Sequence, residues 1–238
     1  MRIVDCHIHI SKIRKDPLGE VLGLMDRYGI EKGVVFPGNE PKPDNRWMAK
    51  LIAPYRERFL PFAWLNPLQP DSVDELDELV KNKGFTGVKF HPLFHGFYPN
   101  RDNIRPIAER AAEYDIPILV HSGHPHYATP WQVGEMAALF PEVTVIMDHM
   151  GLQVGWVDDA ITLAKRHSNI ILGTTAMPFH EKIRLAVDTI GMERVVYGSD
   201  APTIHPLPEI DRVKVAGLTS DEEEMVFGVN LLRILKAR

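Results

Sequence analysis

Short, almost wholly apolar runs rich in β-branched residues alternate along this chain with segments whose apolar residues recur at helical spacing. The runs are Ile3–Cys6, Gly33–Phe36, Leu60–Leu65, Gly87–Phe90, Ile116–Val120, Val143–Met147, Ile170–Gly173 and Arg194–Tyr197. A strand that is apolar on both faces is what a parallel sheet covered on both sides requires. Between the runs, Leu76, Leu79 and Val80 form a stripe opposite Asp74, Glu75, Asp77 and Glu78. Segments 104–114 and 158–166 show the same amphipathic period. Pro70 followed by Asp71 and Ser72 marks a helix start.

Successive runs begin roughly every 25–30 residues, the length of one strand–loop–helix–loop unit. Eight such units predict a single-domain α/β chain over residues 1–238, a (β/α)8 TIM barrel near the small end of that fold's range. An open doubly wound sheet is the competing architecture, but no Gly-x-Gly-x-x-Gly follows any of the runs. Residues 221–235 are expected to form one or two closing helices, and Phe59, Phe85 and Phe140 to pack in the core.

Composition narrows the function class. With 238 residues, 45% hydrophobic and 25% charged, the chain has the balance of an ordinary globular protein. A net charge of -5 and no dense basic tract argue against nucleic acid as a partner. No apolar stretch approaches the ~20 residues of a membrane span, so no membrane partner is expected. The first candidate ligand is already at position 7, which leaves no room for a signal peptide before it. A single cysteine suits the reducing cytoplasm, the expected location. Nineteen prolines hint at heat tolerance.

The candidate chemistry lies where the runs end. In a barrel, catalytic groups collect at the C-terminal ends of the strands. Asp5-Cys6-His7-Ile8-His9 follows the first run. On an alternating strand, Asp5, His7 and His9 share one face, while Cys6 and Ile8 share the other. Two imidazoles so placed can bind one metal ion, although an isolated His-x-His is equally well read as two ordinary histidines. The other runs shift that balance. Lys89 and His91 end the fourth, His121 and His124 the fifth, His149 the sixth and Asp200 the eighth. At least six of the 11 histidines therefore sit at strand ends. Histidine and aspartate are ordinary zinc ligands. His95, His126, His167, His180 and His205 read as loop or surface residues.

Taken together, Asp-x-His-x-His, Gly-Val-Lys-Phe-His-Pro, His-x-Gly, Asp-His-x-Gly and Tyr-Gly-Ser-Asp, in that order between residues 5 and 202, resemble the amidohydrolase superfamily. The similarity is to the amidohydrolase-related branch that includes aminocarboxymuconate semialdehyde decarboxylase. The resemblance implies one divalent metal, zinc first and manganese as an alternative, held by His7, His9, His121 and Asp200. It makes Asp200 and His149 the catalytic pair, Asp200 handling a proton and His149 contacting substrate or activating the nucleophile. Asp5 would support a ligand imidazole. Lys89 and His91 would touch substrate, and Arg46, in the loop from Pro37 to Trp47, would hold a substrate carboxylate. Trp64, Phe94, Phe97 and Trp131 are candidate pocket walls. A binuclear site with carbamylated Lys89 is the alternative metal arrangement. A small-molecule substrate is implied, and a homodimer is allowed.

Two chemistries fit. The leading expectation is a metal-dependent hydrolase in which His149, if protonated, stabilises charge developing on a small lactone, ester or amide. The alternative is non-oxidative decarboxylation of an unsaturated or aromatic carboxylic acid. A third reading is a metal-binding barrel without turnover, which would have no need of both His149 and Asp200.

Overall fold

The computed structural model describes residues 2–38 and 42–237. Its strands are β1 (Ile3–Ile10), β2 (Ile30–Pro37), β3 (Phe59–Trp64), β4 (Gly87–Phe90), β5 (Ile118–His121), β6 (Val145–Asp148), β7 (Ile170–Gly173) and β8 (Val195–Val196). They lie in one sheet in sequence order, and every neighbouring pair is parallel. The sheet closes from β1 onto the segment after β8. Cys6 N donates to Tyr197 O (2.9 Å), Asp200 N to His7 O (2.9 Å) and His9 N to Ala201 O (2.7 Å). This is the (β/α)8 barrel that the spacing predicts.

Two layers of apolar side chains hold it. One cluster contains Val4, Cys6, Val34, Phe36, Leu60, Phe62, Trp64, Leu119, Ile146, Ile171 and Val196, the inward positions of seven strands. The other lies between strands and helices and includes Ile8, Ile10, Val35, Val88, Val120 and Met147. Phe59, Phe85 and Phe140 are buried in this outer layer, as expected. On β4, an inward Cβ at Gly87 would lie 2.4 Å from the Phe62 ring. Glycine there yields its space to the aromatic.

The helices match the periodicity. Ser72–Lys83, Arg105–Glu113 and Val154–Arg166 contain the predicted stripes. The C-terminal segment runs as Ser220–Glu224, a π-helical turn Met225–Val229, and Asn230–Ile234. Leu231 and Leu232 join the inner cluster, so this helix plugs the N-terminal mouth.

β1 departs from the expected pattern in two ways. It continues to Ile10, so His7 and His9 lie on the strand itself, paired alongside β2 through Ile8↔Val35 and His9↔Phe36. The register also slips between Asp5 and Ile8. Such a slip breaks strict alternation. Cys6 therefore packs with Val4 in the inner cluster, while Ile8 packs in the outer one, correcting the expectation that they share a face.

Candidate metal and active site

Closure of β1 onto residues 197–201 brings three acceptors together. His9 Nδ1 is 3.0 Å from the carbonyl of Pro37, so that nitrogen carries the ring proton and Nε2 is left with a lone pair. His7 Nδ1 lies 2.5 Å from Asp148 Oδ2. The contact is not aligned as a hydrogen bond, but a carboxylate beside Nδ1 favours the tautomer with the ring proton there, so His7 also presents a bare Nε2. The two Nε2 atoms are 2.9 Å apart, and Asp200 Oδ1 stands 3.3 Å from one and 3.1 Å from the other. Donors about 2.0–2.2 Å from a divalent ion are separated by about 2.9–3.5 Å at adjacent coordination positions. The three edges fit. Two lone pairs and a carboxylate oxygen converging in a buried site repel one another unless a cation lies among them. The donor set thus matches the metal that the sequence motifs imply.

Around this centre is a cavity of about 300 Å³ at the C-terminal mouth, lined by His7, His9, Lys89, His91, His121, His124, His149, Leu152, Ala176, Asp200 and Ile204. All the predicted site residues except Arg46 reach it. His121 lies in the wall, but the ligand atoms within 4.8 Å of one another form two groups among the described residues, His7, His9 and Asp200, and His7, Asp148 and His149, neither of which includes it. The His121 ring stacks on His91 (3.9 Å between centroids), and its Nε2 meets His124 Nδ1 at 2.8 Å. His91 accepts a hydrogen bond at Nδ1 from Phe94 N, leaving Nε2 as the protonated nitrogen.

Arg46 is elsewhere. It opens a separate cleft of about 1000 Å³ together with Trp47, Trp64 and His95. Its guanidinium is committed to Glu78 Oε2, 2.8 Å from Nε. Residues 39–41 of the loop that leads to it lie outside the described residues. Trp64 forms part of the inner core and stacks nearly parallel to His91 (5.7 Å, 8°). Phe94 meets the edge of Trp64. Phe97 instead packs on Phe90 in the outer layer, and Trp131 lies under Arg166, so neither walls the cavity. His95 is partly buried beside Trp64 rather than on the surface.

Asp5 does not reach an imidazole partner. Its Oδ1 accepts from the backbone N of His7 (2.9 Å) and of Ser199 (3.0 Å), clamping the two closing segments together. Burial pushes its carboxyl up to about 7. The residue in contact with the His7 ring is Asp148, fully buried, to which sequence reading gave no role. Its signal is its position at the last residue of β6, directly before His149.

Adjacent residues Asp148 and His149 both serve the site because the backbone turns sharply between them. His149 has φ 61°, and Met150, Leu152, Ala176 and Asp200 are also left-handed, at 46°, 58°, 56° and 63°. Non-glycine residues pay about 1–3 kcal/mol for this conformation and hold it where surrounding structure requires it. Five of the seven such positions among the described residues lie at the ends of β6, β7 and β8, the other two being Asp115 and Lys236.

The electrostatics follow from burial and pairing. Burial lowers His9 and carries His121 well below the usual imidazole range. Burial also lowers His149, to about 4, so its imidazole is neutral near pH 7 rather than protonated. His149 Nδ1 is 3.0 Å from the Thr175 carbonyl and carries the proton, which leaves Nε2 as an acceptor without a hydrogen-bond partner among the described residues. For His7 burial acts downward too, but the Asp148 carboxylate outweighs it and raises the group. Burial opposes ionisation of Asp200, yet His7 and His9 hold its carboxyl well below the ordinary range.

A (β/α)8 barrel with buried histidines and carboxylates that could hold a metal ion at the C-terminal ends of its strands is the architecture of an enzyme. The chain belongs to the amidohydrolase family, whose profile, described as Amidohydrolase, matches residues 4–236. An uncharacterised protein, y4mH, of Sinorhizobium fredii is 22% identical over 206 residues, 73% of this chain and 66% of that protein. The chain thus spans just under two thirds of that relative's length. Among solved structures, 5-carboxyvanillate decarboxylase from Sphingomonas paucimobilis is 15% identical with a TM-score of 0.80, covering 100% of this chain and 99% of that one. A dihydroxybenzoic acid decarboxylase from Polaromonas sp. JS666, with bound manganese and the inhibitor 2-nitroresorcinol, is 16% identical with a TM-score of 0.79, covering 99% and 97%. At these identities the likeness is one of fold.

Proposed function

We propose that this protein is a divalent-metal-dependent enzyme that removes carbon dioxide from a small, planar, unsaturated or aromatic carboxylic acid without an oxidant. The observation that carries the reading is the lining of the cavity, in which imidazoles predominate and Asp200 is the one carboxylate, while Lys89 is held by Asp148. The protonated Nε2 of His91, together with a metal once bound, would give an anionic substrate partners that a neutral amide or lactone does not need. The decarboxylases that share the fold support this choice over the hydrolase first expected from the motifs.

His7, His9 and Asp200 would hold the metal, with His121 reaching it only by leaving His124. Zinc and manganese both suit two imidazoles and a carboxylate. When bound, the metal supplies a Lewis acid that grips substrate oxygens and draws electron density from the bond to be broken. His91 and His121 line the cavity with their rings stacked 3.9 Å apart, and His124 stacks on the far side of His121. His149 Nε2, a neutral acceptor, takes up one proton and delivers it to the ring or alkene carbon. The carbon–carbon bond breaks, its electron pair stays on that carbon, and the carboxylate leaves as carbon dioxide. Asp200, held ionised, is the second proton acceptor on the cavity wall.

Hydrolysis of a small carbonyl compound is the second reading, favoured by the presence of two proton acceptors, His149 and Asp200, beside the metal position. The same pair argues against a barrel without turnover. No described helix is long and apolar enough to cross a membrane, and the buried, unpaired Cys6 suits a reducing cytoplasm. The deciding experiment loads the protein with manganese or zinc and follows bicarbonate formation from a panel of hydroxybenzoates and unsaturated acids, beside ring opening of lactones. Carbon dioxide release that chelation abolishes is the expected result. Lactone opening with no carbon dioxide from any acid would replace this reading by the second.

A further inference from the structure

Asp148 is the buried acid around which the centre is arranged. Its carboxylate is fully enclosed, and one oxygen, Oδ2, meets three groups: His7 Nδ1 at 2.5 Å, Lys89 Nζ at 3.2 Å and His149 Nε2 at 3.2 Å. Lys89 is equally enclosed, and Asp148 is its ion-pair partner among the described residues. A carboxylate and an ammonium buried together are tolerated only as a pair, since either alone would carry a large desolvation cost. Space for the carboxylate comes from Gly173 on the neighbouring strand β7, where a Cβ would come within 3.3 Å of Oδ1. Ser122 fixes the backbone behind it, donating to Asp148 O and accepting from Gly151 N at 3.1 Å.

We infer that Asp148 is the positioning residue of the metal centre: by holding the Nδ1 proton of His7 it aims a bare Nε2 at the ligand position, and by pairing Lys89 it keeps that lysine out of the metal's coordination shell. The first half follows from tautomer chemistry. Neutral imidazole has one donor and one acceptor nitrogen, so tying the proton at Nδ1 leaves the lone pair at Nε2, beside His9 and Asp200. The second half follows from charge. A carbamate on Lys89, the bridge of a binuclear site, would set a second anion against Asp148 where an ammonium now stands. The pair thus disfavours the two-metal arrangement and leaves one ion among His7, His9 and Asp200.

This inference rests on the metal reading above, and the experiment separates the two. Zinc and manganese affinities of the metal-free full-length protein are measured by chelator competition, with stoichiometry by elemental analysis and Lys89 examined by mass spectrometry under added bicarbonate. Wild type is expected to bind one ion per chain with unmodified Lys89. D148N keeps shape but loses the charge, and its affinity is expected to fall about 10–100-fold. Lys89→Met is expected to bind one ion still, because Lys89 is not a ligand. ¹⁵N NMR of the metal-free wild-type imidazoles needs no variant, and should show His7 protonated at Nδ1. Unchanged affinity in D148N, a His7 ring protonated at Nε2 in wild type, or two ions with a carbamate on Lys89 would each overturn the inference. If wild type binds no metal at all, the metal reading of the site itself fails.

Discussion

His7 and His9 present their Nε2 atoms to each other at 2.9 Å, while their Nδ1 atoms face different oxygens, Asp148 Oδ2 for one and the carbonyl of Pro37 for the other. The pair and Asp200 form a triangle of acceptors that could hold a metal ion. Removing one corner should therefore cost metal before it costs fold. His7→Ala and Asp200→Ala are each expected to purify with little or no divalent metal, as read by elemental analysis, while retaining the wild-type far-ultraviolet circular dichroism. Full metal content in either variant would show that the ion binds elsewhere.

His149 contacts Thr175 O and Asp148 and lies outside the triangle of His7, His9 and Asp200. His149→Asn should leave metal content near one per chain and reduce turnover by about 10²–10⁴-fold, the usual contribution of a general acid–base group. Turnover within a few-fold of wild type would remove His149 from the proton path.

Acid should destabilise the metal-free protein well above the carboxylate range. His9, His91, His121 and His149 are all held below the ordinary histidine value of 6.5, His149 at about 4. Between those limits the unfolded chain binds more protons at these positions than the folded one, so stability rises with pH. It falls as pH drops below about 6.5 and the penalty is complete once the folded groups titrate. Asp5, raised to about 7, and His7, also raised, act in the opposite sense, but they are outnumbered. Thermal unfolding of chelated protein should give a lower Tm at pH 5 than at pH 7. A Tm that is level or higher at pH 5 would contradict the neutral state assigned to the cluster.

Gly87 occupies the inward position of β4 beneath the Phe62 ring. Gly87→Ala should destabilise by about 1–3 kcal/mol through overpacking. Phe62→Leu in the same chain should recover part of that loss, since it returns space at the same point. Additive losses in the double variant, read by urea denaturation, would place the clash elsewhere.

Arg46 faces the larger cleft and is paired with Glu78 on an exposed surface. Exposed pairs of this kind contribute about 0–1 kcal/mol. Arg46→Ala is expected to leave both Tm and kcat close to wild type. A large rise in KM with kcat unchanged would restore the substrate-carboxylate role that the loop position suggested.

Much of this was written in local pattern. Apolar runs at regular spacing mark all eight strands because a doubly covered parallel sheet leaves its strands no polar face, and the ends of those runs mark the mouth where His7, His9, His149 and Asp200 gather. Periodicity reports which positions are buried, and burial of strands is a property of each segment. Register is not. The slip in β1 between Asp5 and Ile8 depends on what pairs on both sides, on β2 and on residues 197–201, and it decides that Cys6 faces inward with Val4. Likewise the left-handed turn at His149 lets two successive residues, Asp148 and His149, face one site, an arrangement that alternation cannot foresee.

The sequence alone determined the barrel, the mouth at which its histidines and Asp200 gather and the residue types of the candidate metal site, because these follow from periodicity and from strand order. Only the tertiary structure decided which nitrogen each histidine offers, that Asp148 rather than Asp5 holds the His7 ring, that His121 turns to His124, and that Arg46 spends its charge on Glu78. Those outcomes depend on contacts between residues far apart in the chain, whose distances and proton positions are set only when the barrel closes.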